Sequence, residues 1–483
     1  MLRILLRTFL KHICSLFLPL FLFSCRQHEN SSYSPAGSAA SPVALDVGAG
    51  INYETGFYEK GHEDCMSDFH FYEVNPGDSF VFSAQGFQYQ LAFYDEQIEE
   101  RFIHTYCYSD EENWASFTKN LGDSWLEGDY AFEKHGWARV MVRHRAGRAL
   151  GADDKSFVEG HCHFERQHIP YTEKPYFTSE IEDTAEKVNS LKNADTLVFG
   201  LLTDSHYVIN GHWEDTAHNL LAVCKKSPFD ALIHLGDFTD GMTPLAITKE
   251  YFMIQYDDMK KLGVPLYLLL GNHDSNYFKG NPESISLDEQ SRLYLQNEKP
   301  YYYVDFAEKQ LRVLFLHSFD HREVGQNNRY GFPPEEIGWV ESALASTPAD
   351  YKVLVCAHVP LLAEMHFWSD EIRNSGEMIR LLEAFNTNGG GRRVLAYIHG
   401  HIHSDWVNRG EAGGLSFPVI AIGCAKVEDD QVKKTPGSTT YPRKMGDVTQ
   451  ELWDVLVVNT KTGRLDFVRF GAGEDRGVGG SVE

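Results

Sequence analysis

From about residue 196 the chain repeats one pattern: a short, unbroken apolar run that stops at polar residues. Leu197-Val198-Phe199-Gly200-Leu201-Leu202 runs into Asp204-Ser205-His206, and Ala231-Leu232-Ile233-His234-Leu235 into Gly236-Asp237. Val264–Leu270 runs into Gly271-Asn272-His273-Asp274, Lys352–Ala357 into His358, and Val394–Ile398 into His399-Gly400-His401-Ile402-His403. Apolar runs of this length without alternation predict strands buried on both faces. Helical spacing is predicted over Ile181–Asn193, Glu214–Lys226, Leu245–Leu262 and Pro333–Leu344, the last opened by Pro333-Pro334. The interval between Asp204 and Asp237 is long enough for a βαβ crossover, and Leu220, Leu221 and Cys224 share one face of its helix. Tyr301–Ala307 and Leu311–His317 read as adjacent strands. Phe417–Ile422, Leu452–Val458 and Leu465–Phe470 are expected to complete a second sheet, back to back with the first and with helices outside.

Residues of about 50–165 carry a different pattern, short alternating runs between turn signals. Phe69–Val74 is followed by the turn Asn75-Pro76-Gly77-Asp78 and then by Ser79–Ser83; Gln88–Tyr94 and Trp137–Arg143 alternate as half-buried strands do. This predicts a β-sandwich-like accessory module. His161-Cys162-His163 lacks the paired spacing of a closed zinc site and is expected to form a loop at a domain edge.

Five apolar runs of the second region, those before Asp204, Asp237, Asn272, His358 and His399, each lead into Asp, Asn or His, the side chains that suit Mn, Fe and Zn. In open α/β sheets ligands sit beyond the carboxyl ends of the strands, so these groups are expected to converge on one metal centre. The ordered set D-x-H, G-D-x-x-D, G-N-H-D, H and G-H-x-H resembles the calcineurin-like metallophosphoesterase family over roughly residues 196–410. The resemblance implies a four-layer α/β/β/α sandwich and two divalent or trivalent transition-metal ions, Mn, Fe or Zn. It implies that Asp204, His206 and His403 hold one ion, that Asn272, His358 and His401 hold the other, and that Asp237 bridges them. It also implies phosphoester hydrolysis, of a mono- or diester, by a metal-bridging hydroxide. His273 would act as general acid, with Asp240 holding it oriented and protonated. Asp240 stands where purple acid phosphatases carry Tyr, which disfavours that branch. Asp274 is expected to hydrogen-bond locally, and His212, His317, His321 and His399 to be surface or core groups outside the ligand set. Arg329-Tyr330, Lys426 and Tyr441-Pro442-Arg443-Lys444 are candidate substrate contacts.

The chain opens with Arg3, Arg7 and Lys11 before an apolar stretch, Ile13–Phe23, too short for the roughly 20 apolar residues of a membrane span. Leu22-Phe23-Ser24-Cys25 resembles a bacterial lipobox, with Phe23 untypical in it, which implies lipidation of Cys25 and an exported lipoprotein, periplasmic or anchored to the outer membrane of a Gram-negative bacterium; the alternative is an ordinary secretory peptide cut near Ala39-Ala40. Export permits disulfides. Of eight cysteines, Cys65, Cys107 and Cys162 fall in the β module, where one bridge is expected. The formal net charge of −25 disfavours a nucleic-acid partner and leaves the membrane reached only through the lipid anchor. The resemblance implies a small phosphoester substrate; the module is expected to pack against the catalytic domain, with a cell-surface glycan as the alternative partner. The non-enzymatic alternative is a glycan-binding surface lipoprotein on an inactive phosphoesterase scaffold. The domain plan is a signal peptide over 1–24, a flexible tether over 25–49, the β module over 50–165, a linker and helix over 166–195, the phosphoesterase domain over 196–476 and a tail over 477–483.

Overall fold

The computed structural model describes residues 40–52, 58–68, 72–94, 124–165, 171–207, 211–243, 245–278, 281, 283–319, 330–366, 371–389, 393–410, 414–427 and 435–479. The predicted signal peptide, Cys25, Cys107, His321 and Arg329 lie outside them.

Two six-stranded sheets face each other. The first runs in the order Leu266–Leu268, Ala231–His234, Thr196–Leu202, Leu452–Asn459, Arg464–Gly471, Arg476–Val478. Its first three strands are parallel and the rest antiparallel. The second runs Tyr302–Phe306, Leu311–Phe315, Lys352–Cys356, Val394–His399, Val419–Ala421, Trp406–Asn408, with its four central strands parallel. Leu197, Phe199, Ile233 and Leu456 of the first sheet interdigitate with Val313, Leu354, Ala396 and Ile420 of the second. The outer face of the first sheet is covered by helices Pro175–Leu191, Trp213–Lys226 and Leu245–Lys260, and that of the second by Pro334–Ala345 and Ser375–Asn388. This is the four-layer arrangement that the sequence pattern predicts, and it explains the unbroken apolar runs, because each central strand buries both faces.

Several expectations are corrected. Leu452–Asn459 and Arg464–Gly471 join the first sheet, not the second: Leu452–Asn459 pairs antiparallel with Thr196–Leu202. The helix expected over Ile181–Asn193 starts sooner, at Pro175, and runs to Leu191, because Phe177, Ile181, Ala185 and Val188 recur at helical spacing and are all buried. The predicted tether ends sooner than residue 49, since Ala40–Pro42, Leu45–Val47 and Ala49–Ile51 are strands. Cys162–Glu165 is likewise a strand, held between Ala40–Pro42 and Ser79–Phe82, so His161-Cys162-His163 is no edge loop. Cys65 and Cys162 are buried free thiols, which corrects the expected bridge as far as these two are concerned. Burial pushes the Cys162 thiol up to about 12.

The module is a sandwich of a four-stranded and a five-stranded sheet closed over Phe80, Tyr89, Val140 and Phe164. Its other face is not independent. Ile51, Ala92, Tyr94 and Met141 belong to the same apolar cluster as Phe177, Leu220, Tyr251 and Trp453 of the neighbouring layers.

Candidate metal centre

Every predicted ligand lies just past the carboxyl end of a strand. Asp204 and His206 follow Thr196–Leu202, Asp237 follows Ala231–His234, and Asn272 follows Leu266–Leu268. His358 follows Lys352–Cys356, and His401 and His403 follow Val394–His399, so both sheets contribute. The loops are fastened to one another by backbone: Asp204 N–H donates to Gly236 C=O (3.0 Å), His206 N–H to Asp237 C=O (3.1 Å) and Gly400 N–H to His358 C=O (3.1 Å). Five of the ligand candidates adopt left-handed backbone: Asp204 (φ 53°), His206 (φ 38°), Asp237 (φ 57°), His401 (φ 69°) and His403 (φ 51°). Such conformations cost energy in L residues and persist only where the surroundings impose them, which is the mark of a site built for something other than stability.

The donor atoms fall into two groups sharing one residue. Asp204, His206, Asp237 and His403 offer atoms all within 4.8 Å of one another, and so do Asp237, His358 and His401. Asn272 Oδ1 lies 3.2 Å from His358 Nε2 and completes the second group. The chemistry of these donors fits cations. His358 Nδ1 faces the Leu235 carbonyl at 2.8 Å and must carry the ring proton, which leaves Nε2 a bare lone pair. That lone pair faces Asn272 Oδ1 and, at 3.1 Å, Asp237 Oδ2. Asp237 Oδ1 accepts the His273 N–H (2.8 Å), whereas Oδ2 is buried without an aligned donor among the described residues. His206 Nε2 and His403 Nε2 stand 3.2 Å apart, again two nitrogens aimed at one point. Acceptors converging this closely need positive charge between them.

Without metal, a proton takes part of that place. Burial pushes the His358 imidazole down, but the Asp237 and Asp204 carboxylates push it up by more, to about 9. Asp204 and Asp237 resist the upward push of burial and lie below the usual carboxylate range, held there by His403 and His358. An imidazole whose folded pKa exceeds its unfolded value of 6.5 stabilises the metal-free fold fully below about pH 6.5, and that contribution is lost as pH rises through about 9. A bound cation displaces this proton. The gain in Tm on loading with Zn²⁺ or Mn²⁺ is therefore expected to be larger near the upper end of that window than near its lower end. Thermal scans with and without metal check this, and a gain that shrinks with pH would contradict it.

The glycines of the motifs are steric necessities. A Cβ on Gly271 would lie 2.1 Å from Asp237 Oδ1, and one on Gly400 2.0 Å from Thr203 Oγ1. Gly271→Ala is expected to displace the Asp237 carboxylate, destabilise the protein by roughly 1–3 kcal/mol and strip it of metal. Metal analysis of the purified variant checks this; full occupancy would contradict it.

Asp274 behaves as expected, its carboxylate accepting the N–H groups of Asp237 (2.9 Å), Phe238 (2.9 Å) and Gly271 (2.7 Å), which fixes two motif loops against each other. The expected role of Asp240 is corrected. His273 Nδ1 lies 2.6 Å from the Asp240 main-chain carbonyl, not from its carboxylate. The carboxylate turns instead to His206 Nδ1 (3.1 Å) and Lys426 Nζ (3.1 and 3.3 Å). Burial pushes His273 down to about 4, so in the free protein this imidazole is neutral at neutral pH, not held protonated.

His212 sits beside the centre, its Nε2 3.0 Å from the Ala425 carbonyl and its pKa pushed down to about 3 by burial. His399 is buried, with Nδ1 2.9 Å from Gly400 C=O. Of the candidate substrate contacts, Arg443 is a brace, its guanidinium donating to the carbonyls of Cys424 and Ala425 (2.7 Å each) and of Gln450. The closing Arg469–Arg476 stretch gains a physical account as well. Arg469 and Arg476 clamp Asp405 and Asp454, and Asp405 follows His403 by two residues. One residue escaped sequence reasoning altogether: His366 Nε2 lies 2.9 Å from His401 Nε2, and the Tyr330 ring centroid lies 4.5 Å from that of His366. No strand end or motif precedes His366, so no local signal marks it.

With this geometry in place, residues 197–405 match the model of the calcineurin-like phosphoesterase family. This segment is a calcineurin-like phosphoesterase domain. No curated protein matches the chain. Among solved structures, the chain is similar to a dimetal phosphatase from Danio rerio at 14% identity, covering 59% of this chain and 99% of that one with a TM-score of 0.44. It is also similar to a purple acid phosphatase from yellow lupin seeds at 11% identity, covering 91% of this chain and 74% of that one with a TM-score of 0.41. A phosphopantetheinyl hydrolase from Mycobacterium tuberculosis follows at 14% identity, 48% and 91% coverage and a TM-score of 0.31. The phosphoesterase domain carries all the motif blocks within or at the edge of the matched segment, His403 being two residues from its end.

Proposed function

We propose that the phosphoesterase domain hydrolyses a phosphoester, mono- or diester, using two transition-metal ions held by its own seven ligands. Asp204, His206 and His403 would hold one ion, Asn272, His358 and His401 the other, and Asp237 both. The observation that carries this reading is the sharing of Asp237 between two donor groups, with one carboxylate oxygen buried and lacking an aligned donor. A pair of such ions, when bound, neutralises phosphoryl oxygens and lowers the pKa of a bound water from 15.7 to about 7. The chain supplies the rest. The fastened loops hold the ligands without reorganisation, Asp274 locks Asp237 relative to Gly271, and the backbone carbonyl of Asp240 fixes the His273 ring. With Nδ1 turned to that carbonyl, His273 offers Nε2 to the departing oxygen. The negative charge of a phosphoester beside Nε2 would raise this imidazole on binding, so that it takes up from solvent the proton it then donates.

The test is hydrolysis of aryl phosphate mono- and diesters by the purified chain with added Mn²⁺. The expected result is turnover of at least one class, abolished by chelator and restored by metal. Chelator-insensitive turnover, or none on either class with metal bound, would overturn the reading and favour the scaffold alternative. The export reading stands beside this one as part of the proposal, with Cys25 as lipid anchor, a small phosphoester as substrate and a glycan as the module's candidate partner.

A further inference from the structure

Asp240 and Lys426 are 5% and 4% exposed, so their charged groups form a buried ion pair at 3.1 Å. A buried pair is costly to assemble and is weak support for stability as such, so a pair placed at a metal centre calls for another account. The Asp240 carboxylate also lies 3.1 Å from His206 Nδ1. The approach is one of charge and not an aligned hydrogen bond, and a carboxylate placed beside Nδ1 favours the ring orientation and tautomer that turn Nε2 to the centre. On the other side of the ring, Nε2 faces His403 Nε2 at 3.2 Å, Asp237 Oδ2 at 3.7 Å and Asp204 Oδ1 at 3.8 Å. The ring is buried edge-on against His273 (centroids 4.7 Å apart) and His403 (5.0 Å), and the residue also borders a small cavity that Lys426 helps to line. Lys426 in turn is fastened to the D-x-H loop. Its N–H donates to Asp204 C=O (3.2 Å), Ala425 N–H to Thr203 C=O (2.9 Å), and Cys424 Sγ lies 3.1 Å from Asp204 C=O.

We propose that Lys426 and Asp240 are positioning residues for His206, the lysine holding the carboxylate and the carboxylate holding the imidazole so that Nε2 stays aimed at the Asp204–His403 side of the centre. This assigns the second aspartate of the G-D-x-x-D block to a metal ligand, not to His273. It also turns Lys426 from a candidate substrate contact into part of the metal site. The inference rests on the two-metal reading above.

The test measures metal affinity by equilibrium competition against a fluorescent chelator, with Zn²⁺ as the probe, on the full chain and on Asp240→Asn, Lys426→Met and Lys426→Arg. For the wild type, two binding steps are expected. In Asp240→Asn one step should weaken by roughly 10–100-fold, the range for partners of metal-bound histidines, and the other should not move. Lys426→Met should weaken the same step by a smaller factor, and Lys426→Arg should restore most of it because the charge returns. Asp240→Asn is nearly isosteric, so it carries the test alone should Lys426→Met fail to fold. Unchanged Zn²⁺ affinities in both neutral variants would overturn the inference. A raised KM for Lys426→Met with unchanged affinity would return that residue to the substrate. Fewer than two binding steps in the wild type would instead overturn the underlying two-metal reading, so the two failures are distinguishable.

Discussion

Asp237→Asn is expected to release at least one metal ion per chain and to lower turnover by at least roughly 10²–10³-fold, the scale on which a single preorganised charge-stabilising group acts. Among the described residues Asp237 alone belongs to both donor groups, so no neighbour can substitute for it. The substitution keeps the shape of the side chain and can keep the hydrogen bond from His273 N–H to Oδ1. What changes is Oδ2, which becomes an –NH₂ pointing hydrogens at the position a cation would occupy. Such a group could donate towards His358 Nε2 at 3.1 Å, so the fold should survive while the site does not. Metal analysis and circular dichroism on the same sample check both halves. A variant that keeps two ions and its turnover would remove the bridging assignment.

His273→Gln is expected to leave metal content intact and to slow substrates according to their leaving groups. The imidazole stands beside the centre, its ring centroid 4.7 Å from that of His206 and its Nδ1 fixed by the Asp240 carbonyl. If its Nε2 protonates the departing oxygen, an alkoxide leaving group should lose roughly 10²–10⁴-fold in rate, the usual worth of a positioned proton donor. A nitrophenolate leaves unaided and should lose much less. Because His273 meets a backbone carbonyl, no substitution of the Asp240 side chain removes that contact directly. Asp240→Asn is therefore expected to act through metal affinity and not to reproduce the leaving-group dependence. Equal losses for both leaving groups would assign His273 to holding the phosphoryl group. Loss of a metal ion from His273→Gln would contradict the ligand set around Asn272.

The centre was legible in the sequence because two-sided burial leaves continuous apolar runs, and each run ends where its strand leaves the sheet. Thr196–Leu202 and Val394–His399 are buried along their whole length, so Asp204, His206, His401 and His403 stand out against them. Partnering between distant segments was not legible. Leu452–Asn459 carries the same apolar signal whether it joins one sheet or the other, and its antiparallel seat beside Thr196–Leu202 is decided by packing. Asp240 illustrates the same limit at the scale of one side chain. The G-D-x-x-D spacing brings Asp240 near His273, yet carbonyl and carboxylate satisfy that spacing equally well. The contact that turned the carboxylate away comes from Lys426, 186 residues further along. His366 was hidden for a related reason, since it reaches His401 from the turn Ala363–Met365 and not from a strand end.

The proposed reading places Asp237 between two metal ions. Anomalous diffraction from crystals of the purified protein, collected on either side of the absorption edge of whichever metal elemental analysis finds, tests it most directly. Two peaks are expected about 3.5–4 Å apart, the spacing of paired catalytic metals, with the Asp237 carboxylate between them. A single peak, or two peaks neither of which touches Asp237, would contradict it.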